Sequence, residues 1–319
     1  MHSASTGASP TAVSAAQALH SPQASPRPQA MLALILSAAF GGFAAELALL
    51  VAGDDAESIH RTRVAWRRLR ASLRFYRPLL GAINELNAPV LREVLVALSA
   101  LRDLDVARLE TLPPLARHWM GEDPRRQEQW RSVAERIEAR AGKERAVLQR
   151  LLRQPGIATG PPSDLASGLA SGLASGLTSG LTSGLAALSA SVAQRAAAID
   201  PGLDFSRWAE QRLARLDGRM DGLRKRARNE ADWHRLRILA KRQRYAAEAL
   251  HKVLPARLLR RHCEAARALQ ERIGNARDLI VAARLVDALA ASDPGVADFA
   301  RMVRRRVRHQ ERKFASRSR

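Results

Sequence analysis

The sequence predicts an all-α protein made of two related halves. Apolar residues recur at helical spacing along most of the chain, and no segment shows the sustained alternation of a half-buried strand. The segment HRTRVAWRRLR, which begins at His60, is matched by HRLRILAKRQR, which begins at His234. A second matching pair follows, LRDLDVARL from Leu101 and ARDLIVAARL from Ala276. Two copies of one pattern at similar spacing indicate an internal duplication.

The composition limits the class of ligand. The 319 residues include 52 basic and 31 acidic side chains, a formal net charge of +21, and 46% of them are hydrophobic. This apolar share suffices for a buried core, and the positive excess favours nucleic acid, polyphosphate or an anionic membrane surface as partner. Cys263 is the single cysteine, which excludes an intramolecular disulfide and a cysteine-based metal site. Aromatic residues, at 4%, are fewer than base-stacking single-strand binders usually carry.

The N-terminal segments predict a tail followed by a buried helix. Residues 1–29 are rich in Ser, Ala, Pro and Gln, lack the features of a secretion signal and are predicted to be disordered. The apolar run 31–51 is long enough to span a bilayer, but Glu46 interrupts it. Its counterpart in the second half, 205–225, is amphipathic. We therefore expect a buried first helix of a bundle, no membrane insertion and a cytoplasmic protein.

The remaining segments predict further helices, one member of each pair in each half. The pairs are 56–80 with 230–253, 84–110 with 256–290, and 124–153 with 295–314. Asp54 and Glu57 are spaced as the N-cap and N3 residues of the helix over 56–80. The segment 315–319 is predicted to be a disordered basic tail.

A linker is predicted between the two halves, which span 30–153 and 205–314. Within the linker, residues 154–204, Leu recurs every fourth residue from Leu165 to Leu185, and Gly recurs alongside it. Because each Gly costs a helix about 1 kcal/mol relative to Ala, we favour a flexible linker. The alternative is a helix that packs on a neighbour through its small residues.

Each copy of the basic motif places its charges on one face of a helix, with apolar residues on another face. Like charges on one face destabilise a helix by a few tenths of a kcal/mol per pair. Their occurrence at equivalent places in both halves therefore favours anion binding over a merely solvated surface. The charged faces contain His60, Arg63, Arg67, Arg70 and Arg74 in the first copy and His234, Arg237, Lys241 and Arg244 in the second.

An Arg-Asp pair follows each motif, Arg102-Asp103 in the first half and Arg277-Asp278 in the second. We expect the two carboxylates to hold arginine side chains through ion pairs. The sequence contains no Walker loop, acidic metal cluster or His–carboxylate pair at useful spacing. It therefore predicts a protein that is not an enzyme and that needs no metal or other cofactor. The duplicated histidines are either helix-start residues with satisfied hydrogen bonds or groups that hydrogen-bond phosphate.

The two basic motifs and the two Arg-Asp-Leu segments closely resemble the CHAD domain, the conserved-histidine α-helical domain, over about residues 30–314 without the repeat array. The resemblance implies two pseudo-symmetric four-helix bundles that form one domain with a basic central groove. It also implies noncatalytic binding of inorganic polyphosphate and association with polyphosphate granules. Many members carry an N-terminal CYTH triphosphatase-type domain, whereas this chain resembles a stand-alone CHAD protein.

The resemblance also implies a set of polyphosphate-binding residues. Two of the differences in residue type between the aligned copies affect packing and charge. Gln243 corresponds to Leu69 of the first copy, and Glu248 corresponds to Arg74. The sequence leaves the oligomeric state open, and its composition leaves a helical protein that binds nucleic acid nonspecifically as the alternative function. The implied set is His60, Arg63, Arg67, Arg70, Arg74, Arg102, His234, Arg237, Lys241, Arg244 and Arg277.

Overall fold

A computed structural model describes residues 27–83, 89–153 and 179–316, which form ten α-helices and no strand. The prediction of an all-α fold is therefore confirmed. A π-helical segment, Val106–Thr111, joins the third helix to the fourth, and a 3₁₀ turn, Pro294–Val296, precedes the last. The helices are α1 Pro28–Ala52, α2 Ala56–Leu80, α3 Pro89–Asp105, α4 Leu112–Met120, α5 Pro124–Arg153, α6 Ser179–Ala197, α7 Phe205–Arg226, α8 Glu230–Ala249, α9 Ala256–Ser292 and α10 Ala297–Ser316.

The tails predicted over 1–29 and 315–319 lie mostly outside the described residues. Residues 315 and 316 belong to α10, so the basic C-terminal run extends the last helix further than predicted.

Helix α1 contributes directly to the core. By length and composition it is the one helix in the described part of the chain that could cross a membrane. It packs against α2 and α6, and Leu32, Phe43 and Leu47 are fully buried. Its Glu46 accepts a hydrogen bond from Nε of Arg61 on α2 at 3.1 Å. The helix thus occupies the place predicted for the first helix of the bundle.

The N-cap of α2 is Asp55, so the prediction of Asp54 at this position is wrong. The backbone of Asp55 is extended, and its Oδ1 accepts hydrogen bonds from the backbone N–H groups of Glu57 at 2.8 Å and Ser58 at 3.0 Å. Because the helix starts at Ala56, Asp54 lies one residue too early to reach these donors. Its Oδ2 instead lies 3.8 Å from Nε of Arg145 on α5.

Two large hydrophobic cores cross the boundary between the predicted halves. The larger one joins α1, α2 and α3 to α6, α7 and α8, and the second joins α4 and α5 to α9 and α10. In the larger core, the ring of Tyr76 stacks on Trp208 of α7 at 5.9 Å between centroids and on Phe205 at 6.0 Å. The halves therefore share their cores, and the pseudo-twofold symmetry expected from the resemblance stays a prediction.

The prediction of a flexible linker is wrong for its C-terminal part. Residues Ser179–Ala197 form α6, which packs against α1 and buries Leu185, Val192 and Ala196. Nη1 of Arg195 also donates a hydrogen bond to the carbonyl of Leu80 at 2.8 Å. The alternative interpretation, a helix packed on a neighbour, holds here because tertiary burial outweighs weak helix propensity. The earlier part of the linker, residues 154–178, lies outside the described residues.

A buried polar network explains the departure at Gln243. Its side chain is fully buried, as is that of Leu69 in the first copy. Nε2 of Gln243 donates a hydrogen bond to Oδ1 of Asp217 on α7 at 2.7 Å. Oδ2 of Asp217 lies 2.6 Å from Nδ1 of His262 on α9. The second half therefore links three helices by polar contacts at a position where the first half packs a leucine.

Candidate functional site

Cationic side chains of four helices converge between the two halves. The pKa values of Arg63, Arg237 and Lys241 are lowered by burial and by the positive charges of their neighbours Arg67 and Arg277, so these side chains lie close together. Helices α2 and α8, which carry the two basic motifs, pack directly against each other. We call this group the cationic cluster; it consists of Arg63 and Arg67 from α2, Arg102 from α3, Arg237 and Lys241 from α8, and Arg277 from α9.

Two carboxylates lie inside the cationic cluster, and both are engaged by Arg277. Nη2 of Arg277 lies 3.5 Å from Oδ2 of Asp103, a contact between the two halves, and Nη1 lies 3.8 Å from Oδ1 of Asp278. The expected ion pairs are therefore present, but Asp103 pairs with an arginine of the other half. Arg102 pairs outside the cluster, with Glu110 at 2.7 Å. Six cations against two carboxylates leave the cluster with a positive excess.

Burial and mutual repulsion shift the protonation of the cluster. Burial, with the charges of Arg67, Arg237 and Arg277, lowers the pKa of Lys241 to about 6. Burial and the neighbouring Arg67 lower the pKa of Arg63 to about 10. Both directions mean that the protein alone does not compensate the positive charge. An anion placed here would supply the missing compensation.

Two arginines of the cluster also hold hydrogen-bond donors without acceptors. The Nε atoms of Arg63 and Arg237 are buried, and no acceptor among the described residues reaches them. Nη1 of Arg63 donates to Oγ of Ser99 on α3, which fixes the guanidinium in place. Buried donors without a partner are costly, so such groups favour a ligand rich in acceptor oxygens.

Two cavities open beside Arg237. The smaller, of about 290 Å³, lies between α8 and α9 and is lined by Arg237, Lys241 and Arg244 together with Arg267 and Gln270. The larger, of about 750 Å³, is lined by both Arg237 and Arg277 and otherwise mainly by apolar residues of α8, α9 and α10. The cationic cluster is thus accessible from two cavities of different chemistry.

A family model for the CHAD domain matches residues 34–287, most of the chain. The chain belongs to the CHAD domain family. Among solved structures, the crystal structure of the CHAD domain from the plant Ricinus communis is similar, with a TM-score of 0.69 and 23% sequence identity over 90% of this chain and 87% of that chain. At this identity the likeness shows the all-α CHAD fold alone. The comparison with curated proteins gave no match.

This CHAD domain places part of the predicted site outside the cationic cluster. Arg70 is exposed and Arg74 half-buried, one and two turns beyond Arg67 along α2. Arg244 lies over the ring of Tyr245 at 4.8 Å and faces the smaller cavity. These three residues extend the positive surface along the helices that carry the cluster.

The two histidines of the duplicated motif have different surroundings. Burial and the charge of Arg102 lower the pKa of half-buried His60, so its imidazole is predominantly neutral near pH 7. His234 is exposed and lines the larger cavity. The matched sequences suggest equal roles for the two histidines, but their different surroundings do not support this.

Sequence reasoning found Arg277 on α9 but missed the other residues of this helix that line the smaller cavity. Arg267, Gln270 and Gly274 line the smaller cavity and lie on the face of α9 that continues to Arg277. These residues precede Arg277 by ten, seven and three positions, and this helical spacing was the signal that could have found them. The described residues contain no group of three or more His, Cys, Asp or Glu side chains arranged to hold a metal ion.

Proposed function

We propose that the cationic cluster binds inorganic polyphosphate without converting it. The observation that carries this proposal is the convergence of six half-buried basic side chains with only two carboxylates, both already paired with Arg277. Phosphate oxygens would accept from the guanidinium groups of Arg63 and Arg237, whose Nε atoms have no acceptor among the described residues. Arginine suits such oxygens because its planar guanidinium presents several donors in a fixed geometry.

A chain of phosphates fits this surface better than a single phosphate ion. The positive charges continue from the cluster along α2 through Arg70 and Arg74, and along the smaller cavity through Arg244 and Arg267. Polyphosphate can contact several of these groups at once and release counterions from each contact. Its affinity should therefore fall steeply as the salt concentration rises, as it does for nucleic-acid phosphates.

Charge reversal at the centre of the cluster tests the proposal. In the variant Arg67→Glu with Lys241→Glu, one change comes from each half, and binding of long-chain polyphosphate should be lost while the helical circular dichroism is retained. The matched control is Arg140→Glu with Lys143→Glu on α5, which changes the net charge equally at exposed positions. Calorimetric titration at two salt concentrations measures the affinity. Unchanged affinity in the cluster variant would rule out this site.

Parallel titrations separate polyphosphate binding from two other functions. Duplex DNA at equal phosphate concentration should not displace polyphosphate, because a duplex is too wide for contacts to buried guanidinium groups. Equal competition by DNA would favour the alternative of a nonspecific nucleic-acid-binding protein. Phosphate release should stay at the level of the buffer with and without Mg²⁺; protein-dependent release would contradict the noncatalytic part of the proposal.

Cytoplasmic polyphosphate granules are the expected location if the proposal holds. A fluorescent fusion of the wild-type protein should concentrate at granules, whereas the fusion of the Arg67→Glu, Lys241→Glu variant should stay diffuse. Granule association of both fusions would mean that another surface recruits the protein.

A further inference from the structure

The larger cavity combines an apolar wall with a cationic one. Its volume of about 750 Å³ lies within the range of small-molecule binding sites, about 300–1,000 Å³. Arg237 and Arg277 of the cationic cluster form one part of its lining, and Glu311 is the one acidic residue that lines it within the described part of the chain. The larger apolar residues of the lining are Trp233, Ile273, Leu279, Ile280, Val281 and Val307.

Inorganic polyphosphate does not account for this cavity. A bare phosphate chain carries no apolar group, so it would leave the side chains of Ile280, Val281 and Val307 facing water. A purely apolar ligand would cover those side chains but would leave the guanidinium groups of Arg237 and Arg277 facing apolar carbon, which is costly for a charged group. The two walls together select a ligand that has both an anionic and an apolar part.

We propose that the larger cavity binds an organic phosphate, a phosphate monoester whose ester group is apolar. The phosphate lies at Arg237 and Arg277, and the ester group packs against Ile280 and Val281 of α9 and Val307 of α10. Burial of apolar carbon strengthens binding with every added methylene, while the two guanidinium groups fix the position of the phosphate. The inference goes beyond polyphosphate binding and does not depend on it.

Titration with simple phosphate monoesters tests the inference on the full chain. Octyl phosphate, studied well below the concentration at which it forms micelles, should bind with one-to-one stoichiometry. Its affinity should exceed that of inorganic phosphate by roughly tenfold or more, with butyl phosphate between the two, because each buried methylene adds affinity. Equal affinity for octyl phosphate and inorganic phosphate overturns the proposal. So does equally tight binding of octyltrimethylammonium, which would indicate an apolar surface without selection for anions.

Filling the cavity from either wall provides the structural test. The variants Ile280→Trp and Val307→Trp place a bulky ring in the cavity from α9 and α10, and each should weaken octyl phosphate binding by roughly tenfold or more. The matched control is Ala288→Trp, at an exposed position on α9 outside the cavity. Melting temperatures confirm that the variants are folded. Full octyl phosphate affinity in both folded cavity variants overturns the proposal.

The two proposals fail separately. Loss of octyl phosphate binding with unchanged polyphosphate affinity in the tryptophan variants is the expected result. Octyl phosphate binding by a wild-type protein that does not bind polyphosphate would overturn the proposed function and leave this inference intact. A protein that binds polyphosphate but binds octyl phosphate no more tightly than inorganic phosphate would overturn this inference and leave the proposed function intact.

Discussion

Lys241 is the residue of the cationic cluster whose pKa is lowered furthest. It is half-buried beside Arg67, Arg237 and Arg277, and its pKa falls to about 6 as a result. The first copy of the motif has Arg67 at the corresponding position, and an arginine does not release its proton in a protein. The second copy has a lysine at this position, and a lysine can release its proton. Near pH 7 the free cluster therefore holds one positive charge fewer than its sequence suggests.

Polyphosphate binding should take up a proton at Lys241. The bound anion stabilises the ammonium form and raises the pKa of Lys241 above its free value of about 6. Between pH 7 and 9 the complex then holds more protons than the free protein, so affinity should fall as pH rises, by up to about tenfold per pH unit. Titrations in buffers of different ionisation enthalpy would measure the uptake.

The matched control for this pH dependence is Lys241→Arg, which keeps the positive charge but cannot release the proton. Its affinity should be nearly constant from pH 7 to 9. The variant also separates Lys241 from His60, because a proton taken up by His60 would still be taken up in Lys241→Arg. A wild-type affinity as constant as that of the variant would show that Lys241 takes up no proton when polyphosphate binds.

At the residue scale, the sequence could predict which side chains meet but not all of their partners. Helical spacing put Arg63 with Arg67 and Arg237 with Lys241 on shared faces, and the structure joins these faces. The pairing of Asp103 with Arg277 was not predictable, because it depends on how α3 and α9 approach each other. The N-cap of α2 was missed by one residue because Asp54 and Asp55 are adjacent and both are suitable caps.

Helix α6 is the element whose contribution the sequence concealed. Its repeated Gly residues give it weak intrinsic helicity, so its stability must come from packing on α1. By contrast, α2 and α5 have the bounds that periodicity predicted, because long amphipathic segments with a strong apolar face leave little ambiguity. Helix α4 was also missed, since nine residues that include adjacent prolines give a short and interrupted pattern.

A charge in the buried face of α6 should destabilise the whole domain. The variant Val192→Asp places a carboxylate at a position that is 1% exposed and belongs to the larger hydrophobic core. We expect a loss of about 2–4 kcal/mol in the free energy of unfolding, measured by urea denaturation. Ser191→Asp, at the adjacent exposed position, is the control and should change stability little. Equal stability of the two variants would show that α6 does not belong to the core.

At the scale of the whole molecule, the duplication predicts more independence between halves than the structure shows. Both large cores contain residues of both halves, and the cationic cluster does as well. The sequence repeat identifies related segments but carries no information about whether each segment packs within its own copy. The family model and the solved plant structure establish the fold. That the two halves share their cores is seen only from how the helices pack in the structure.

The protein should therefore unfold in one cooperative transition. Trp208 packs in the larger core and Trp130 in the second, so each reports on a different region. Two variants, each retaining one of these residues as its sole tryptophan, should have the same urea midpoint by fluorescence and by circular dichroism. Each variant's own circular dichroism curve is its control. Separate midpoints for the two fluorescence signals would show that the cores are independent units.

Arg237 lines both cavities, and this makes their occupants mutually dependent. A single guanidinium cannot neutralise two anions as well as it neutralises one, so an anion in either cavity weakens the hold on an anion in the other. Thermodynamics requires the two effects to be equal: the factor by which an organic phosphate reduces polyphosphate affinity is the factor by which polyphosphate reduces that of the organic phosphate. A small phosphate ester would thus act as a soluble antagonist of polymer binding, with a strength set by its own concentration.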